Sequence, residues 1–105
     1  MAARLATEYK QIRFDLSYAQ LQDFIKLFHV NGYISKVKIL ESGESIDTEV
    51  SFSHAEETIS FIFSFNGTHY IYEGSCLVTD NKFAQLLQKA IRQYNGSAVS
   101  QRIYS

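Results

Sequence analysis

The sequence predicts an α+β fold: an antiparallel sheet containing a four-stranded meander, or five strands with the N-terminal segment counted, with one face covered by two amphipathic helices in the order β-α-β-β-β-β-α. Three observations carry this. Residues 33–72 alternate apolar and polar side chains with a period of two, broken only at turn-forming positions. Two flanking segments space their apolar residues three and four apart, the period of a helix that buries one stripe. The chain has 105 residues, 46% of them hydrophobic, enough for one core and too few for two. A single domain over 1–105 is expected, with its core at about 9–95 and a tail at 97–105.

Tyr9 to Leu16 reads as the first strand, because Ile12, Phe14 and Leu16 fall on one side while Gln11, Arg13 and Asp15 fall on the other. Ser17 has the chemistry of an N-cap. Behind it Tyr18, Leu21, Phe24, Ile25 and Phe28 form a helical stripe that ends near Gly32, a residue suited to a left-handed C-terminal cap. The meander follows, with turns expected at Ser42-Gly43, at His54 to Glu57 and at Asn66-Gly67.

A two-residue Asn66-Gly67 turn would put Phe63 opposite Tyr70 and Phe61 opposite Tyr72 on the core face, with Ile62 directly opposite Ile71 on the outer face. A two-residue turn at Ser42-Gly43 would likewise set Lys38 opposite Asp47 and Lys36 opposite Glu49, with Val37, Ile39, Ile46, Thr48 and Val50 pointing inward. It would also oppose Glu41 and Glu44, a like-charge pair that a longer loop would relieve. Asp80 then caps a second helix whose stripe is Phe83, Leu86, Leu87, Ala90, Ile91 and Tyr94. Residues 97–105 carry too few large apolar groups to predict an element, so the tail is expected to be frayed or docked on a partner.

Composition narrows the function classes. Ten Lys plus Arg against eleven Asp plus Glu give a net charge of -1 with no block of like charge, which makes nucleic acid an unfavoured partner and supplies no footprint for an anionic membrane. Lys36, Lys38, Arg13 and Lys10 would have to form an unbroken basic stripe to change that. No segment reaches the ~18 apolar residues of a membrane span, and a cytoplasmic location is expected. The lone Cys76 excludes an internal disulfide, and no flanking cation lowers its pKa, so a packing role is expected. Asn66-Gly67-Thr68 and Asn95-Gly96-Ser97 match a glycosylation acceptor pattern, but the Asn-Gly pairs already have a reading as turns.

No nucleophile elbow, phosphate loop, dinucleotide fingerprint or paired-histidine zinc motif occurs, which leans against an enzyme. His29, His54 and His69 fall on unlike elements, so neither a metal nor a cofactor is expected. His69 and Glu73 on one strand face could form a pH-sensitive pair, but a plain exposed pair is the expected reading. The leading expectation is a small non-catalytic protein-binding or regulatory module. It would self-associate as a homodimer, or bind another protein, through the open sheet face or an edge strand. Ile62 and Ile71 would form the centre of that interface and Lys36, Lys38, Asp47 and Glu49 its polar rim. The alternative is an apolar-ligand binder or enzyme with a pocket between sheet and helices, lined by Phe61, Tyr70, Tyr72 and Tyr94.

Overall fold

Eight elements follow one another: β1 (Leu5–Leu16), α1 (Tyr18–His29), β2 (Ile34–Ser42), β3 (Ser45–His54), β4 (Glu57–Phe65), β5 (Tyr70–Val78), α2 (Asn81–Gln93) and β6 (Ser97–Tyr104). The computed structural model describes residues 5–42, 45–55, 57–94 and 96–104. Two compact units divide the chain, Asp15–Tyr72 and Met1–Phe14 with Glu73–Ser105. Hydrogen-bonded neighbours run β2-β3-β4-β5 in the first and β5-β1-β6 in the second. The α+β class and the antiparallel sheet are as the sequence predicts.

In the Asp15–Tyr72 unit the chain turns from β1 into α1 because Ser17 stands at the junction. Its hydroxyl accepts from the Gln20 backbone N–H at 3.2 Å, and the Gln20 side chain accepts from the Ser17 N–H at 3.0 Å, so two donors that a helix start leaves open are satisfied reciprocally. Asn31 and Gly32 end the helix, Gly32 with φ at +95°. Leu21, Phe24 and Phe28 are the buried stripe between those ends. Phe24 meets Phe52, Phe61 and Phe63 edge-on at ring distances of 5.8–6.0 Å, and Phe28 stacks on Phe52 at 4.3 Å. The helix therefore lies on the sheet face that carries Phe52, Phe61 and Phe63, the face assigned from the alternation.

Both hairpin registers differ from the sequence expectation, and both by two residues. Ser42 pairs with Ser45, so Lys38 lies opposite Glu49, Lys36 opposite Ser51 and Leu40 opposite Asp47. Glu41 faces Ile46, which removes the Glu41–Glu44 repulsion of the expected register. The turn residues Gly43 and Glu44 lie outside the described residues, as do Glu56 of the second turn and Asn95. In the last hairpin Ser64 pairs with Ile71 and Phe65 with Tyr70, so Ile62 and Ile71 are diagonal rather than directly opposite, and Phe63 does not face Tyr70. The cause is the Asn66 side chain. Its carbonyl accepts from the backbone N–H of Thr68 at 3.0 Å and of His69 at 2.8 Å, which makes Asn66 the residue before the turn and Gly67, at φ +102°, its first central residue.

In the other unit β1 begins at Leu5 and carries a bulge: its register against β6 slips between Lys10 and Arg13, and Gln11 takes a φ of +55°. The slip moves Ile12 onto the side that already carries Tyr9, and both are buried. Asp80 caps α2 through its carboxylate and the Lys82 N–H at 3.0 Å, and Phe83, Leu86, Leu87, Ala90 and Ile91 are buried. The Tyr9 hydroxyl donates to the Ala84 carbonyl at 3.0 Å, fixing helix to strand. The tail expectation is corrected: residues 97–104 are a strand, paired antiparallel with β1 from Leu5–Tyr104 to Arg13–Ser97. Main-chain hydrogen bonds hold it where few large side chains are present. Gly96 permits its approach, since a Cβ there would stand 2.9 Å from the Phe14 ring.

Phe24→Ala, which empties the centre of four aromatic contacts, is expected to cost about 3–5 kcal/mol in denaturant unfolding. Ile39→Ala, on the same sheet face but 64% exposed, should stay within about 1 kcal/mol of wild type. Equal losses would show that α1 covers Ile39 as well.

Candidate functional site

The helix-bearing face of the Asp15–Tyr72 unit is only partly covered. Twelve residues of α1 span roughly 18 Å, whereas the nine of β2 span roughly 30 Å. Ring contacts show where the cover lies. Tyr18, the first residue of α1, stands 6.4 Å from Tyr70, while Phe28 near its end stacks on Phe52 and meets Tyr33 at 6.1 Å. The helix thus runs obliquely across the sheet, and the corner formed by the middle of β2 and the start of β3 is left open.

That corner is mostly apolar, with Glu41 opposite Ile46 at its end. Val37 pairs with the fully buried Val50, and Ile39 with the buried Thr48, so both belong to the core face, yet they are 55% and 64% exposed. One residue beyond the Asp47–Ser64 pair, on the same face, Ile46 is 50% and Phe65 41% exposed, and the Phe65 ring lies 4.7 Å from Tyr70. Four large apolar side chains therefore share the face near β2, which ends the hydrogen-bonded order and, among the described residues, has a free edge. The alternation places Val37, Ile39 and Ile46 on the inward side, and that holds, although none of the three is buried. The usable signal was the length of the helical stripe, too short to cover four strands.

The predicted interface residues lie on the opposite, outer face of the same unit. Ile62 is exposed at 48%, Ile71 is half-buried on its diagonal, Lys36 and Lys38 are exposed, and Asp47 and Glu49 are half-buried. Between them the face is hydroxylated: Ser51 and Ser60 share a hydrogen bond of 3.2 Å, and Ser53 and Thr58 one of 3.0 Å. Of the predicted pocket residues, Phe61 is fully buried with its ring 5.0 Å from Tyr72, which is itself buried. Tyr70 is wedged between Phe65 and Tyr18, and Tyr94 belongs to the other unit, where its hydroxyl accepts from the Gln93 amide at 3.3 Å. These rings fill their own unit's interior or surface.

Groups with chemistry are scattered. No set of three metal-ligating side chains converges among the described residues. His69 stands 4.0 Å from the Asp15 carboxylate, which replaces the expected partner Glu73. Arg13 instead holds Glu73 at 3.2 Å and Lys10 holds Glu8 at 3.1 Å, so an acid accompanies each of these two cations. A polar groove of about 740 Å³ between β1 and α2 is lined by Tyr9, Gln85, Gln88, Lys89 and Arg92, with no acid and no nucleophile–base pair among its lining residues. No described helix is long and apolar enough to cross a membrane. No family model, curated protein or solved structure matches this chain.

Cys76 is half-buried, and burial pushes its thiol from 9.0 up to about 11. It is a thiol, not a thiolate, at neutral pH. Iodoacetamide labelling of the native protein at pH 8 should therefore be several-fold slower than that of the urea-unfolded chain. The raised value also sets a pH window: its contribution to stability is fully present below about pH 9 and is lost as pH rises toward 11. Cys76→Ala should flatten the fall of the urea midpoint over that range; an unchanged slope would mean the thiol titrates normally.

Proposed function

We propose that this chain is a small non-catalytic protein-binding module that docks its partner on the uncovered corner of the Asp15–Tyr72 unit, at the free edge of β2. One observation supports this above the others: Val37, Ile39, Ile46 and Phe65 share one face and all stay at least 41% exposed. Single exposed apolar residues are ordinary on protein surfaces, but a contiguous group beside unpaired strand backbone combines the two features that partners use, desolvation of apolar area and main-chain hydrogen bonds. Among the described residues the titratable groups are scattered and form no competing catalytic arrangement.

A second reading rests on the outer face, where Ile62 is exposed and Ile71 lies diagonal to it. Through that face the natural partner is a second copy, since a two-fold axis sets each patch against itself. Light scattering separates the two. A dimer that Ile62→Lys converts to a monomer with unchanged circular dichroism supports the outer face, because an unpaired charge at an interface centre is costly.

The corner is tested by a photo-crosslinking residue placed at Ile39, at Phe65 or, as control, at outer-face Thr58 in cells that make the protein. Ile39 and Phe65 are expected to give one shared discrete adduct, and Thr58 none of that mass. Identical adducts from all three positions, or none from Ile39, would overturn the proposal.

A further inference from the structure

We infer that the free edge of β2 accepts an extended segment of a partner protein that carries acidic side chains at alternate positions and apolar ones between them, added as a strand beside α1. This deepens the module reading above and rests on it.

An edge strand turns the N–H and C=O of alternate residues away from the sheet, where an extended chain can complete the ladder. β2 is nine residues long and contains neither proline nor glycine, so its edge is continuous over Ile34–Ser42. The side chains on its two faces then specify the guest. On the outer face Lys36 and Lys38 are exposed; Lys38 already faces Glu49 on β3, whereas the residue directly opposite Lys36 is Ser51, which carries no charge. An acid on the guest, level with Lys36, would be its directly opposed counter-charge. On the other face stand Val37 and Ile39, both more than half exposed.

The helix completes the cleft. A groove of about 350 Å³ between α1 and β2 is lined by Gln22, Asp23, Ile25, Lys26, His29 and Ser35. A strand laid along the edge would run past it, with one row of side chains toward Ile25 and Val37 and the other toward the two lysines. On the helix side Asp23 and Glu41 are balanced by Lys26 and His29, so charge there selects neither sign. The register follows from the two faces of β2 itself, Lys36 and Lys38 on one and the exposed Val37 and Ile39 on the other: acids outward, apolar groups under the helix.

A second copy does not satisfy this edge. Pairing β2 antiparallel with its own copy requires a two-fold axis normal to the sheet, which sets same-face residues against one another. The lysine face of β2 holds Ile34, Lys36, Lys38 and Leu40 and no acid, because Glu41 is on the other face. Every such register leaves the lysines facing each other or an uncharged residue, and like charges directly opposed are unfavourable.

The probe is a capped nine-residue synthetic peptide alternating Asp and Val, titrated into ¹⁵N-labelled protein. Amide shifts are expected to centre on residues 35–41. The acidic peptide should bind about fivefold more tightly than a Lys–Val analogue, the preference supplied by attraction to Lys36 in one case and repulsion from it in the other. Methylating alternate peptide nitrogens on the β2-facing side should abolish binding. Lys36→Glu with Lys38→Glu should reverse the charge preference while leaving the fold intact. Equal binding of both peptides, survival of binding after N-methylation, or shifts centred on Ile62 and Ile71 would overturn the inference. So would a dimer that forms through β2 without peptide. If no peptide binds while the Ile39 crosslink persists, the acidic-strand inference falls and the module reading stands; loss of both removes both.

Discussion

The Asp15–Tyr72 unit depends on one ring. Phe24 stands on α1 at the point where Phe52, Phe61 and Phe63 converge, and its ring touches all three. Edge-to-face contacts of this kind combine a large apolar burial with a geometric preference, so they position the helix as well as hold it. The oblique path of α1 follows from it, since a helix pinned at its middle and carrying Phe28 onto Phe52 is drawn toward one end of the strands. Whatever the helix then fails to cover is decided by the same contact. The open corner at Val37, Ile39, Ile46 and Phe65 is the geometric remainder of a twelve-residue helix anchored by Phe24 and Phe28.

Much of this was legible in the sequence, and the reason is a property of strands. Side chains alternate with period two, so a register displaced by two residues preserves every face while changing every cross-strand partner. Both hairpins are displaced in that way. Phe61, Phe63 and Tyr72 face inward and Ile62 and Ile71 outward as expected, but the Ile62–Ile71, Lys38–Asp47 and Lys36–Glu49 pairs are not formed. What could not be read was the place of Asn66 in its turn. An Asn-Gly pair can supply both central residues, or the Asn can stand before the turn and cap it through its side chain, and the two choices differ by hydrogen bonds that no alternation reports.

Caps were more transparent than pairings because their chemistry is local. Ser17 with Gln20 three residues on, and Asp80 just ahead of Asn81, announce helix starts within four residues of chain. The last strand had no such signal. Residues 97–104 are joined to β1 by the main chain, whose hydrogen-bonding groups are the same whatever the side chains, and the bulge at Gln11 that adjusts that pairing occurs without a glycine to mark it. The candidate site escaped detection for a third reason. Alternation tells which way a residue points, and exposure depends on whether another element arrives to cover it.

The pairing of β1 with β6 also orders events in time. Leu5 meets Tyr104, so this ladder closes across almost the whole chain, whereas the β2–β3 and β4–β5 hairpins close across a few residues. Loop-closure entropy makes the hairpins the early structures and the terminal ladder the late one. On a ribosome the interval is longer still. At roughly 5–20 residues per second, β1 waits several seconds for β6 to be made, with the edge that β6 will cover open throughout. Glu8, Lys10 and the irregular backbone at Gln11 lie along β1 during that wait, and charged side chains and a bulge are features that keep a waiting edge from pairing with a neighbouring nascent chain.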